Sequence, residues 1–161
     1  MSEQAPFFRT RRFYLAVIVL AVSIAIPTIV YYELAYNSVN GTHPELVTGY
    51  RSVGFCSATY YVTAHVWSWA GSLDTHVTSP SFTLTVNNLP FGDQIESSGS
   101  FQPNSYITYS LTFHVTDCGI AKSVGSSNSS YVSLEMSADV SAGWYHELIT
   151  RADSATWTFT G

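Results

Sequence analysis

With 161 residues, a net charge of −5, 15% aromatic and only 11% charged residues, the chain has room for one cored domain and not for two. Arg9, Arg11 and Arg12 are half of its six basic residues, so everything beyond them is acidic and offers no basic surface to nucleic acid.

Phe13 to Tyr32 is a run of twenty uncharged residues. As a helix it would be roughly 30 Å long, the thickness of a bilayer's hydrocarbon core. A cleavable signal peptide needs an apolar region of only about 7 to 15 residues ending in small ones. Ser23-Ile24-Ala25 is the nearest imitation of a cut site, and it lies in mid-run with Pro27 two places beyond. The early arginines on one side, and Tyr31, Tyr32 and Tyr36 beside Glu33 on the other, read as the two membrane interfaces. The positive-inside rule then places Met1 in the cytoplasm and everything after about residue 37 outside. The phrase "TRRFYL" resembles a twin-arginine export signal, a look that any arginine run before an anchor shares; the topology is the same either way. Pro27 removes the hydrogen bond to the Ser23 carbonyl and is expected to bend the helix. The expected organisation is a cytoplasmic segment (1–12), a transmembrane anchor (13–36), a short extended neck (37–50, "NSVNGTHPE") and an extracytoplasmic domain (51–161).

Within that domain, period-two alternation predicts half-buried antiparallel strands. In "ATYYVTAHVWSW" the inward set is Tyr60, Val62, Ala64 and Val66; in "SFTLTVNN" it is Phe82, Leu84 and Val86. "YITYSLTFHVT" points Ile107, Tyr109, Leu111, Phe113 and Val115 one way, and "YVSLEMSADV" does so with Val132, Leu134, Met136, Ala138 and Val140. The tail "ATWTFT" reads as a closing strand. "WAGSLD", "NNLPFGD", "SSGSFQPNS", "DCGIAKSVGSSNSS" and "SAGW" read as turns. Nothing after the anchor carries a useful helical period, so the fold class is mainly β: six to eight short strands in an immunoglobulin-like antiparallel sandwich behind one transmembrane helix.

The order of an anchor followed by "FTLTVNNLP" and then "GSFQPNSYITYSLTF", the two phrases falling within residues 82–113, resembles the late-embryogenesis-abundant-14 or water-stress-hypersensitivity (WHy) domain. Leu84, Val86, Asn88 and Pro90 stand where that family has Leu-x-Val-x-Asn-Pro-Asn, and Pro103, Asn104 and Ser105 stand where it has its later proline-serine phrase. Asn87-Asn88-Leu89-Pro90 departs from the first phrase. The resemblance implies an extracytoplasmic, non-enzymatic sandwich.

Cys56 and Cys118 are the two cysteines, and an even pair in an oxidising compartment is most simply a disulfide stapling two strand ends. Two free thiols or metal ligands are the alternative. His114 lies four residues before Cys118, and His65, His76 and His146 are also available, but the spacing fits neither a copper nor a paired zinc site. No cofactor or metal is expected. The carboxylates Asp93, Glu96, Asp117, Glu135, Asp139, Glu147 and Asp153 are scattered, and there is no Gly-x-Ser-x-Gly elbow or phosphate loop, so no enzymatic activity is expected either. Asn40-Gly41-Thr42 and Asn128-Ser129-Ser130 are sequons for glycosylation, at Asn40 in the neck and Asn128 in a loop.

On the face of "YYVTAHVWSW" opposite its core set stand Tyr61, Thr63, His65, Trp67 and Trp69, where solvent would favour Ser, Thr or Lys. Tyrosine and tryptophan dominate binding energy at interfaces, so Tyr61, His65, Trp67 and Trp69 are the candidate partner interface. The competing reading is that the domain covers both faces of this strand itself. The expected function is that of a structural or accessory subunit of a larger membrane or cell-surface complex, with membrane-protein subunits or surface-layer protein as partners. A pilin-like filament subunit and a copper-handling or redox domain are the alternatives.

Overall fold

In a computed structural model, residues 5–159 are described, with side chains from residue 11 onward. The chain divides into two units, Met1–Leu34 and Ala35–Gly161. One long helix, α1 (Ala5–Asn40), supplies the first unit and enters the second. The second unit holds eight strands and a short helix: β1 (Thr42–Val53), β2 (Ala58–Ser68), β3 (Thr75–Val86), β4 (Leu89–Ile95), β5 (Gly99–Phe101), β6 (Tyr106–Val115), α2 (Cys118–Gly125), β7 (Ser129–Ala142) and β8 (Tyr145–Thr158).

From Arg11 to Asn40, α1 is long and apolar enough to cross a membrane. It stays helical through Pro27, and its hydroxyls are satisfied locally: Ser23 donates to the Val19 carbonyl (2.7 Å) and Thr28 to that of Ile24 (2.8 Å). Internal satisfaction of this kind is what an apolar surrounding demands.

The second unit is an antiparallel sandwich. One sheet has the order β1-β2-β6; the other runs β4-β3-β7-β8, with β5 added beside β3. The alternating residues of β2, β3, β6 and β7 meet between the sheets. Tyr60, Val62, Phe82, Leu84, Leu111, Leu134 and Met136 are all essentially sealed from solvent, and Phe82 touches Tyr109 across the interior at 5.1 Å between ring centres. The open edges are laced by side chains reaching from sheet to sheet. Asp153 on β8 accepts from the Leu46 amide on β1 (2.8 Å), and Gln94 on β4 accepts from the Thr112 amide on β6 (2.8 Å). Edge amides that would otherwise recruit a foreign strand are thereby occupied.

The segment expected as a neck is not one. Residues 37–40 are the last turn of α1 and 42–53 are β1. Ala35, Ser38 and Val39 are fully buried in the sandwich. The Ser38 carbonyl accepts from Thr42 Oγ1 (2.9 Å) and Ser68 Oγ (2.8 Å), while its hydroxyl oxygen accepts from the amides of Ser72 (3.0 Å) and Leu73 (3.2 Å). Six residues at the end of the apolar helix are thus built into the domain.

A second correction concerns "DCGIAKSVG", which holds a two-turn helix rather than a plain turn. Asp117 caps α2 by accepting from the Ile120 amide (2.9 Å), Ala121 and Val124 are its buried face, and Arg51 donates to the carbonyls of Val124 and Ser127 at its far end. A cation at a helix C-terminus is favoured by the helix dipole. Two stretches read as turns also contain strands, β4 within "NNLPFGD" and its continuation, and β5 within "SSGSFQPNS".

The buried Tyr109 phenol has its pKa raised, chiefly by burial and then by the Glu96 carboxylate. A raised folded-state pKa means that the contribution is complete below the ordinary phenol value near pH 10 and is lost as pH rises from there through the raised folded-state value. Tyr109→Phe is therefore expected to flatten the alkaline decline of stability, read from denaturation midpoints over roughly pH 8 to 11. An unchanged alkaline slope would count against this account.

Candidate functional site

Residues directly opposed across antiparallel strands share a face, so the register of β1, β2 and β6 draws the outer surface of the three-stranded sheet row by row. The rows are His43–Trp67–Tyr106, Glu45–His65–Thr108, Thr48–Thr63–Ser110 and Tyr50–Tyr61–Thr112, with Ser52–Thr59–His114 last. Aromatic groups gather toward both ends, with hydroxyls between them. Tyr50 stacks on Tyr61 at 4.4 Å and 14°, His65 on Tyr106 at 3.9 Å and 15°, and His43 tilts against Trp67 at 4.6 Å.

Neither reading of the aromatic row describes it fully. Among the described residues no second layer of the domain covers the face, and yet Tyr61, His65 and Trp67 are only half-exposed because rings from β1 and β6 lie against them. Trp69, just past the end of β2, remains 72% exposed. His65, Trp67 and Trp69 meet around a hollow of about 360 Å³ with Glu45, Asn104 and Tyr106; Tyr61 lies away from it, bordering a second hollow of about 250 Å³ over Thr63 and Ser110. The indole N–H of Trp67 is buried and meets no acceptor among the described residues. His43 Nδ1 lies 2.9 Å from the Gly41 carbonyl, an arrangement that fixes a proton on Nδ1.

His43, Glu45, Tyr50 and Tyr106 complete this face and were not singled out in the sequence. Tyr106 carries a signal, being the outward aromatic that opens a well-alternating strand. His43 and Tyr50 become visible only once β1 is recognised as a strand.

The other expected sites lie apart. Cys56, in the β1–β2 connection, and Cys118, the first residue of α2, form a disulfide. The second cysteine therefore begins a helix rather than ending a strand. Asn128 is exposed between α2 and β7. Asn40 is half-buried, and its amide nitrogen donates to the Tyr36 carbonyl (3.2 Å) and to Glu147 Oε2 (3.3 Å). Among the described residues no group of three His, Cys, Asp or Glu side chains converges as metal ligands would.

No family model and no curated protein matches the chain. Among solved structures, the chain is similar to AT1g01470 from Arabidopsis thaliana, at 17% identity over 76% of this chain and 80% of that one, with a TM-score of 0.48. A protein from Archaeoglobus fulgidus is similar at 13% identity over 72% of this chain and 98% of its own, with a TM-score of 0.42. Spo0M, a sporulation control protein from Bacillus subtilis, is similar at 12% identity over 75% of this chain and 50% of that one, with a TM-score of 0.42. Similarity at this level says nothing about ligand or partner. The class defined by the fold is that of an antiparallel β-sandwich carried on an apolar N-terminal helix.

Proposed function

We propose that the protein is a membrane-anchored accessory subunit: α1 is retained as a single span with its N-terminus in the cytoplasm, and the sandwich stands outside as a non-enzymatic docking module. The observation that carries this reading is the outer face of β1-β2-β6, where the stacked rings of His65 and Tyr106, with Trp67 and the exposed Trp69, border a hollow on a surface where solvent would favour Ser, Thr and Lys. The uncharged span supports it, since a single helix with no charge inside it offers no transport path of its own and serves to hold the domain beside a partner. The likeness of residues 82–113 to the WHy domain fits the same description, an extracytoplasmic sandwich without catalytic machinery. In this reading the partner is another membrane subunit or surface-layer protein, and Asn128 is the sequon open to a glycan.

The test is purification of the native protein in mild detergent, with the intact mass of the chain and its stoichiometric companions both measured. The expected results are an N-terminus before residue 13 and a discrete partner. Trp69→Ala is expected to weaken affinity for that partner roughly thirtyfold, the loss of an interface anchor worth about 2 kcal/mol, with the melting temperature unchanged. A mature chain beginning after residue 25 removes the anchor. A partner retained in full by Trp69→Ala moves the interface elsewhere.

A further inference from the structure

The end of the sandwich that receives α1 also carries the β7–β8 hairpin, and the two run in step. Asn40 Nδ2 donates to Glu147 Oε2, and one helical turn earlier the ring of Tyr36 meets the ring of Tyr145 at 5.6 Å, edge to face. Four residues of helix rise about 6 Å and two residues of strand about 7 Å, so the pairs Asn40–Glu147 and Tyr36–Tyr145 are successive rungs. Tyr145 also donates to Glu147 Oε2 (2.7 Å), which holds the upper and lower rungs together. Following β8 from Glu147 to Tyr145 therefore follows α1 from Asn40 back to Tyr36, toward the apolar run.

The hairpin tip lies one residue further. Gly143, at φ 58°, takes the first central position of a two-residue loop, the place that a type II′ turn reserves for glycine, and Trp144 takes the second with 60% of its surface exposed. Ala142, Gly143, Trp144 and Tyr145 carry no charge. Tyr36, level with Tyr145, is four residues past Tyr32, so chain reach alone keeps it within about 14 Å of the end of the uncharged run. The headgroup layer on each side of a bilayer is roughly 5 to 8 Å deep, and indole, apolar with one N–H donor, is the side chain that concentrates there.

We propose that the Gly143–Trp144 hairpin tip is a second membrane contact, with the Trp144 indole seated in the outer-leaflet headgroup layer. This rests on α1 being retained as an anchor.

The test uses the full chain reconstituted in phosphatidylcholine nanodiscs, with tryptophan emission quenched either from the lipid, by a nitroxide near the top of the acyl chain, or from water, by acrylamide. Wild type is compared with Trp144→Phe, which keeps an aromatic ring at the tip. The expected result is that the variant loses a blue-shifted component that the lipid nitroxide quenches and acrylamide does not. Equal lipid quenching of the two proteins, or a Trp144 component that acrylamide reaches freely, overturns the proposal. Protease digestion of the same discs separates this failure from that of the anchor. Protection of residues 13–32 without a Trp144 difference removes the hairpin contact alone, whereas an unprotected span removes both.

Discussion

Cys56→Ser is expected to lower the stability of the sandwich by about 4 kcal/mol, on the chain-entropy model for a loop of this size. The cysteines are 62 residues apart, and between them the chain passes through β2, β3, β4, β5 and β6 in both sheets. The crosslink therefore removes from the unfolded ensemble every arrangement that separates the start of β2 from the end of β6. In the folded state it ties the β1–β2 connection to the first residue of α2. That helix has little else to hold it: two buried side chains, the Asp117 cap and the Arg51 guanidinium. For a domain of this length the loss corresponds to a fall in melting temperature of roughly 10–20 °C. Reduction of the wild type should reproduce it, and the double variant Cys56→Ser/Cys118→Ser should be no worse than the single one. A melting temperature indifferent to reductant and to substitution would show that packing alone holds α2.

What could be read from the sequence follows how one-sided each element's burial is. β2, β3, β6 and β7 each set an apolar face against the opposite sheet and a polar or aromatic face outward, so their alternation survives in the sequence and their inward residues are sealed in the core, except Ile107 and Val115 near the ends of β6, which are only partly buried. β1 fails this test for physical reasons. It is an edge strand, it carries Pro44 and Gly49, and a bulge between Leu46 and Thr48 shifts its register, so its period breaks in the middle. Gly49 nonetheless has a role, since a Cβ there would fall 2.3 Å from the Trp157 ring. β8 is legible only in its last residues because it is an edge strand that buries little besides Ile149 in its first half; Tyr145 and Glu147, opposite Ala142 and Val140, also meet the end of α1.

Turn chemistry accounts for other features. Asn87 and Asn88 stand at φ 51° and 64° in the two-residue β3–β4 loop, a primed turn that demands left-handed conformation at both positions. Proline, locked near −65°, could occupy neither position. In "QPNS", Asn104 at φ 62° follows Pro103, the pattern of a type II turn, closed by the Ser105 amide donating to the Gln102 carbonyl (3.0 Å). The aromatic face was half legible. Its β2 residues were correctly set opposite the core, but the rings that stack on them belong to β1 and β6, and cross-strand register is not written in any one strand.

The adjacent pair Tyr60 and Tyr61 puts that division of faces to its most direct test. Tyr60 is fully buried, edge-on to Phe91 at 4.9 Å and to Phe159 at 5.9 Å, with its hydroxyl 3.4 Å from Ser130 Oγ. It joins β2 to β4, to β7 and to the residue beyond β8, and Tyr60→Ala leaves a cavity among all of them at a cost of about 3–5 kcal/mol. Tyr61, one residue on, points the other way, and its stacking on Tyr50 is worth about 0.5–1.5 kcal/mol. Tyr61→Ala is therefore expected to cost about 1 kcal/mol and to leave a folded protein, because the rest of its surface already meets solvent. Denaturant unfolding of both variants measures the contrast. If the two cost the same, the outer rings are as structural as the core, and the face they line has no surface to spare for a partner. If Tyr60→Ala alone unfolds the domain, Tyr61 is not needed to hold the fold together, and the outer face it shares with Tyr50 stays open to the docking role proposed for it.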